Sequence, residues 1–110
     1  MNVEFLIIFC TVPDMETAHN ISDHLVIEKK AACCNIIPEI RSVYFWENKL
    51  QQDSEQLLII KTREDRYESL QKRIKELHPY SVPEIIAMPI IHGNPEYLNW
   101  VNENVEQQQD

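Results

Sequence analysis

Three cysteines and four histidines are the side chains of this 110-residue sequence best suited to hold a soft metal ion. Cys33 and Cys34 are adjacent, and adjacent residues on a strand point to opposite faces of a sheet. They cannot readily share one ion, and a disulfide between them would distort the strand. We therefore interpret this pair as packing residues. Cys10 stands alone at the end of a predicted strand, where a thiolate ligand would be accessible, although most free cysteines are small buried apolar residues.

The histidines supply one further candidate ligand. His19 and His24 are five residues apart on a predicted helix, about 140° around its axis, so they do not clamp one ion. His92 lies beside Gly93 in a predicted loop. His78 ends a predicted helix, where it could bind a metal ion or interact with the terminal carbonyl groups. No Ser-His-Asp or Cys-His-Asn arrangement can be picked out, and we do not expect an enzyme.

The periodicity of the apolar residues predicts four strands and three helices. The strands are predicted at 3–12, 32–46, 55–61 and 84–91. The helices are predicted to follow the N-cap residues Asp14, Thr62 and Asn94. Pro38 and Pro89 predict a bulge or a sheet edge, because proline cannot donate a hydrogen bond to a neighbouring strand. Residues 47–49 predict a hairpin tip, since Asn48 tolerates a positive φ.

The order of these elements is typical of an α+β, ferredoxin-like sandwich, βαββαβ with an additional C-terminal helix. Such a fold places two helices on one face of an antiparallel sheet. The first three strands are apolar at nearly every position, so the other sheet face also requires burial. We expect one domain over residues 1–105, a frayed tail at 106–110, and a homo-oligomer formed through the sheet.

The composition and charge of the sequence argue against several classes of partner and site. A net charge of −8 disfavours nucleic-acid binding, because an acidic surface repels phosphate groups. No apolar run approaches the roughly 20 residues needed to cross a membrane, and the N-terminus lacks the basic region of a signal peptide. An odd number of cysteines fits no disulfide framework, so we expect a cytoplasmic location. A single glycine argues against a glycine-rich phosphate loop.

Several long blocks closely resemble the signature of the CutA family, the divalent-cation tolerance proteins. The blocks are FCTVPD, AACCNIIPEIRSVYFWENKL, EQLLIIKT and HPYSVPEIIAMPIIHGNPEYLNWV. The resemblance runs in register from about Phe5 to Val105. It implies a ferredoxin-like fold, a homotrimer packed through its sheets, a cytoplasmic bacterial protein and a link to tolerance of copper and other divalent metals. The sequence departs from the family at Asn48, often glycine, and at Leu77, where some members have a second histidine.

The resemblance also implies two groups of site residues. Cys10 and His78 match positions linked to copper binding, and they form half a site per chain, completed by a neighbouring subunit or by water. A second group is expected to gather near the clefts between subunits, namely Trp46, Asp53, Glu55, Lys61, Tyr80 and Glu84. These residues could line a small-ligand pocket. They could also form hydrogen bonds and ion pairs between subunits, which is the interpretation we favour because buried charges usually satisfy one another.

Our leading hypothesis is a trimeric protein that binds copper or another divalent metal in the response to metal ions, without an organic cofactor. The alternative is a regulatory or scaffold protein similar to the trimeric PII-type signal proteins, which would bind a small ligand or partner in the cleft between subunits. The missing basic, glycine-containing loop argues against ATP as that ligand. An RNA-binding role would require a basic sheet, and the net charge argues against it.

Overall fold

A computed structural model describes residues 4–106 as a four-stranded antiparallel sheet with three helices. The strands are β1 (Phe5–Val12), β2 (Cys33–Trp46), β3 (Lys49–Arg63) and β4 (Ile85–Pro89). The helices are α1 (Met15–Ile27), α2 (Tyr67–Leu77) and α3 (Pro95–Glu103), with a 3₁₀ turn at Glu64–Arg66 before α2. The predicted α+β class and order of elements are confirmed. Of the predicted tail, only Glu106 lies within the described residues.

The strands lie in the order β2-β3-β1-β4, so β2 and β4 are the sheet edges. Both predicted irregularities occur on those edges. The pairing of β2 with β3 shifts between Ile37 and Ile40, around Pro38, and Glu39 there has a φ of 56°. Pro89 is the last residue of β4 and pairs with Leu6. Proline is accepted at these places because an edge strand leaves one row of its amide groups unpaired.

The main core lies between the sheet and helices α1 and α2. Burial alternates along β1, so every second side chain, including Ile8 and Cys10, enters this core. Ile60 of β3 contributes to it from the sheet, and Ile21 of α1 and Ile74 of α2 contribute to it from the helices. All five side chains are fully buried. The apolar side chains at helical spacing on α1 and α2 thus pack against the alternate apolar side chains of the strands, and together they form one apolar layer.

Two of the three predicted N-caps are confirmed. Asp14 accepts a hydrogen bond from the Thr17 amide at 2.7 Å, and Asn94 accepts one from the Glu96 amide at 3.1 Å. The prediction for Thr62 is wrong, because Thr62 lies within β3 and is fully buried. Its hydroxyl donates to the Lys30 carbonyl at 2.7 Å. The ladder between β1 and β3 continues through residue 63, so strand pairing overrides the local capping signal.

The hairpin between β2 and β3 is longer than the sequence predicts. Glu47 and Asn48 both have positive φ, 52° and 60°, as in a two-residue hairpin turn, and Trp46 pairs with Lys49. β3 therefore begins at Lys49 instead of residue 55. Residues 49–54 are mostly polar, so an apolar pattern cannot reveal them as a strand. Their pairing creates an arm on which Phe45 and other apolar side chains are exposed.

The sheet face opposite α1 and α2 is also apolar. Phe9 lies beside Ile59 of β3 and Ile86 of β4, and paired residues of antiparallel strands share a face. We call this surface the open face; its apolar residues are Ile7, Phe9, Ile37, Leu57, Ile59, Ile86 and Met88. Ile86 is 52% exposed and Met88 43% exposed. The expectation that both sheet faces are apolar is confirmed. Within residues 4–106, no helix has the length and apolar character needed to span a membrane.

Arg63 joins the end of β3 to the chain that follows α3. Its guanidinium donates to both carboxylate oxygens of Asp65, at 3.0 and 3.1 Å, and to the Glu106 carbonyl at 3.1 Å. Hydrogen bonding from Arg63 holds the pKa of the Asp65 carboxyl below its usual value. A carboxyl group whose pKa is lowered by folding stabilises the fold above its unfolded pKa, and this contribution is lost as the pH falls through the folded value.

We expect Asp65→Asn to lower the free energy of unfolding at pH 7 by about 0.5–1 kcal/mol, a small value because the carboxylate is partly exposed. The difference should shrink below about pH 3.9, the unfolded reference for aspartate. Urea unfolding of both proteins at one protein concentration, followed from pH 7 to pH 2.5, measures it. If the difference in the free energy of unfolding between the two proteins is the same at pH 7 and at pH 2.5, the role assigned to the Arg63 contact is wrong.

Candidate functional site

Cys10 and His78 meet at the backbone of Thr11. Cys10 directly precedes Thr11 on β1, and Nε2 of His78 lies 2.8 Å from the Thr11 carbonyl oxygen. His78 caps the C-terminus of α2, where Pro79 prevents the helix from continuing. The fold thus brings together two candidate ligands that are 68 positions apart in the sequence.

Cys10 is less accessible than the sequence predicts. Its side chain is fully buried in the main core, so the expectation of an accessible thiol at a strand end is wrong. The physical reason is alternation, because Cys10 has the same orientation on β1 as Ile8. Burial raises the pKa of the Cys10 thiol to about 12, and the carboxylates of Glu84 and Glu55 add to the shift. The thiol is therefore protonated at neutral pH.

His78 uses both ring nitrogens. Nδ1 accepts a hydrogen bond from the Tyr80 amide at 3.1 Å, which leaves Nε2 as the nitrogen that donates to the Thr11 carbonyl. The ring is buried and lies 4.8 Å from the Tyr80 ring, between centroids. His78 therefore fastens the end of α2 to β1. A metal ion could reach a ring nitrogen only after one of these hydrogen bonds is broken.

The adjacent cysteines divide between the two sheet faces, in agreement with our interpretation. Cys34 packs against the main core, and burial raises its thiol pKa to about 12. Cys33 is half-buried, and its Sγ lies 3.7 Å from Oδ1 of Asn35. Within the part of the chain that the structure describes, no group of three or more His, Cys, Asp and Glu side chains is arranged to hold a metal ion.

A cleft of about 660 Å³ lies beside Thr11, at the end of the open face. Four of the predicted cleft residues line it, namely Trp46, Glu55, Tyr80 and Glu84. β2 supplies Trp46, β3 supplies Glu55, and the segment between α2 and β4 supplies the other two. The volume falls in the range of about 300–1,000 Å³ that small-ligand pockets occupy.

Two tyrosine–carboxylate hydrogen bonds organise the acidic side of the cleft. The Tyr80 hydroxyl donates to Oε2 of Glu55 at 3.0 Å. The Tyr44 hydroxyl donates to Asp53, which does not itself line the cleft. Burial, together with the bond to Glu55, raises the pKa of Tyr80 to about 12, and the bond to Asp53 raises that of Tyr44. Both hydroxyl groups therefore remain donors at neutral pH.

Lys61 lies apart from the other predicted cleft residues. It pairs with Cys33 near the far end of β3, and its ammonium donates to Oδ1 of Asn35 at 2.6 Å. Six positions separate Lys61 from Glu55 on an extended strand, about 20 Å, which is why it does not reach the cleft.

Sequence reasoning missed Tyr44 and Val82, which also line the cleft. Tyr44 could have been found, because it is two residues from Trp46 on a predicted strand and therefore shares its face. Val82 has no such signal, since it lies in the irregular segment between α2 and β4. The position of Val82 in the cleft depends on the path of that segment in the folded protein.

Comparisons with known proteins agree with the fold. The family model described as CutA1 divalent ion tolerance protein matches residues 6–104. The chain is 47% identical to the "Divalent-cation tolerance protein CutA" of Thermus thermophilus over 98 residues, 89% of this chain and 95% of that protein. It is 45% identical to "Protein CutA 1, chloroplastic" of Oryza sativa, and the match covers 96% of this chain and 59% of that protein.

Solved structures give the same result. The crystal structure of CutA1 from Oryza sativa has a TM-score of 0.94 at 44% identity, covering 96% of this chain and 97% of that one. A structure titled as the periplasmic divalent cation tolerance protein CutA from Archaeoglobus fulgidus has a TM-score of 0.90 at 38% identity, covering 93% and 99%. By its sequence and its architecture, this chain belongs to the CutA1 family of divalent-ion tolerance proteins.

Proposed function

We propose that this protein acts in divalent-cation tolerance by binding metal ions itself, with copper as the preferred ion. The observation that carries the proposal is the meeting of Cys10 and His78 at Thr11. A thiolate is a soft ligand that favours Cu(I), and an imidazole also binds copper. Glu84 and Glu55 are close enough to the Cys10 thiol to raise its pKa, so an entering cation would gain their attraction. The metal is cargo in this proposal, and we assign no catalytic step.

Binding at this place requires a local rearrangement. The Cys10 thiol must lose its proton and become accessible, and His78 must release one hydrogen bond. Cys10 and His78 form half of the expected site in each chain, and we propose that water or a neighbouring subunit completes it. We propose a homotrimer of ferredoxin-like subunits, because the apolar open face needs a partner. We also propose a cytoplasmic location, since all three cysteines are free thiols.

Cys10→Ser combined with His78→Ala should weaken Cu(I) binding at least tenfold, about 1.4 kcal/mol, because both ligands are lost. Titration against a Cu(I) chelator under anaerobic conditions measures the affinity. For the wild type, affinity should rise by up to about tenfold per pH unit, because one thiol proton is released per ion bound.

Cys33→Ser is the matched control, since it removes a half-buried thiol on the same sheet away from Thr11. Its Cu(I) affinity should equal that of the wild type. Equal affinity of the double variant and the wild type would show that the site is assigned wrongly.

The cleft favours a second function, a ligand-sensing regulatory protein similar to the PII-type proteins. Its volume, its aromatic lining and its buried carboxylate are features of a small-molecule site. Because the cleft adjoins the open face, assembly through that face would place it near a neighbouring subunit. Thermal-shift screening of metabolites against metal salts separates the two functions, since the ion or molecule that binds the folded state raises its melting temperature.

A further inference from the structure

The lining of the cleft selects for positive charge. Two carboxylates, Glu55 and Glu84, face it together with the aromatic rings of Tyr44, Trp46 and Tyr80. No lysine, arginine or histidine is among the described residues that line it. Aromatic faces and carboxylates both attract cations, whereas both carboxylates would repel a phosphate or carboxylate ligand.

Glu55 is the residue that needs a partner. Glu55 is only 6% exposed, and charged groups that are buried are normally paired with an opposite charge. Among the described residues, no basic nitrogen forms an ion pair with Glu55. One carboxylate oxygen accepts the Tyr80 hydroxyl, and a carboxylate has capacity for further donors. Within the single chain that the structure describes, the cleft thus contains a buried carboxylate without a basic partner.

We propose that the cleft binds a small organic ammonium ion, a protonated amine with an apolar or aromatic body. The ammonium group donates to Glu55 and Glu84, and the body packs against Tyr44, Trp46 and Val82. The inference rests on the second candidate function, a ligand-sensing cleft, and does not require copper binding at Cys10, although Glu55 and Glu84 take part in both proposals.

An inorganic cation fits this cleft less well. Calcium takes six to eight oxygen ligands, and magnesium requires near-octahedral geometry. The described side chains offer no group of three metal ligands, and the rings of Tyr44 and Trp46 supply none. The same rings supply contact area for an organic body, and exposed cation–aromatic contacts contribute favourably to binding.

The test follows the fluorescence of Trp46, one of only two tryptophans in the chain. Trp100→Phe removes the other, which stacks on Tyr97 outside the cleft. Three probes of similar shape are titrated into this protein: benzylammonium, benzyl alcohol and benzoate. Benzylammonium should bind with a Kd of about 1 mM or tighter, and at least tenfold more tightly than benzyl alcohol. Benzoate should not bind.

Glu55→Gln should weaken benzylammonium binding at least several-fold while leaving benzyl alcohol binding unchanged, because Glu84 remains as the only carboxylate that lines the cleft within residues 4–106. The glutamine carbonyl can still accept the Tyr80 hydroxyl, and an unchanged circular dichroism spectrum verifies the fold. Glu96→Gln, an exposed carboxylate of α3, is the matched control and should bind like the parent. Trp46 provides the readout, so Tyr44→Leu tests the aromatic contribution and should weaken benzylammonium binding several-fold.

Each remaining outcome overturns the inference. If benzyl alcohol binds as tightly as benzylammonium, the cleft is a ligand site without selectivity for cations, and only this inference fails. If none of the three probes binds, the ligand-sensing function fails with it. Retention of benzylammonium affinity in Glu55→Gln also overturns it. Cu(I) titration of the same samples shows separately whether the metal proposal stands.

Discussion

Ile59→Lys is expected to convert the proposed homotrimer into a folded monomer. Ile59 lies in the middle of the open face, between Phe9 of β1 and Asn35 of β2. If subunits pack through this face, each lysine ammonium would be removed from water without a partner. The penalty for such burial is on the order of several kcal/mol per ion, and it recurs in every subunit. The trimer should therefore dissociate at micromolar concentration.

Size-exclusion chromatography with light scattering measures the result, with circular dichroism to verify the fold. Ile27→Lys is the matched control, because Ile27 is 78% exposed at the end of α1 and lies off the open face. That variant should remain trimeric. A trimeric Ile59→Lys protein would show that the open face is not the interface, and a monomeric wild type would refute the homotrimer itself.

Ile60→Ala should have a different effect, the largest loss of folding stability among these variants. Ile60 is the next residue of β3, and its side chain points into the main core, where it is fully buried. Removing the buried carbons loses hydrophobic transfer energy and leaves a cavity, which together cost about 2–5 kcal/mol. Assembly should be retained while the protein is folded, since the open face is unchanged.

Urea unfolding at a fixed protein concentration tests this prediction, because the stability of an oligomer depends on concentration. Ile27→Ala is the control and should change the free energy of unfolding by no more than about 0.5 kcal/mol. A small loss for Ile60→Ala would mean that the layer between the sheet and α1 and α2 tolerates a cavity. Substitutions at the consecutive residues Ile59 and Ile60 are thus expected to affect different properties, assembly at Ile59 and folding stability at Ile60.

Most local features of the fold could be predicted from the sequence. Asp14 and Asn94 cap helices through hydrogen bonds to residues two or three positions away, so their neighbours are sufficient to identify them. Pro38 marks the bulge for an equally local reason. Thr62 was mistaken for a cap because its partner, Lys30, is 32 residues distant. The polar start of β3 was missed because its strand character comes from pairing with β2.

By itself, the sequence determined the order of strands and helices, the apolar character of both sheet faces and the resemblance to the CutA family. These properties depend on short-range patterns of residue type. Tertiary structure alone decided that the Cys10 thiol is buried and protonated, that both ring nitrogens of His78 are occupied, and that Glu55 faces a cleft beside aromatic rings. Accessibility, pKa and hydrogen bonding depend on neighbours from distant segments, and those neighbours are defined only when the sheet and its helices pack together.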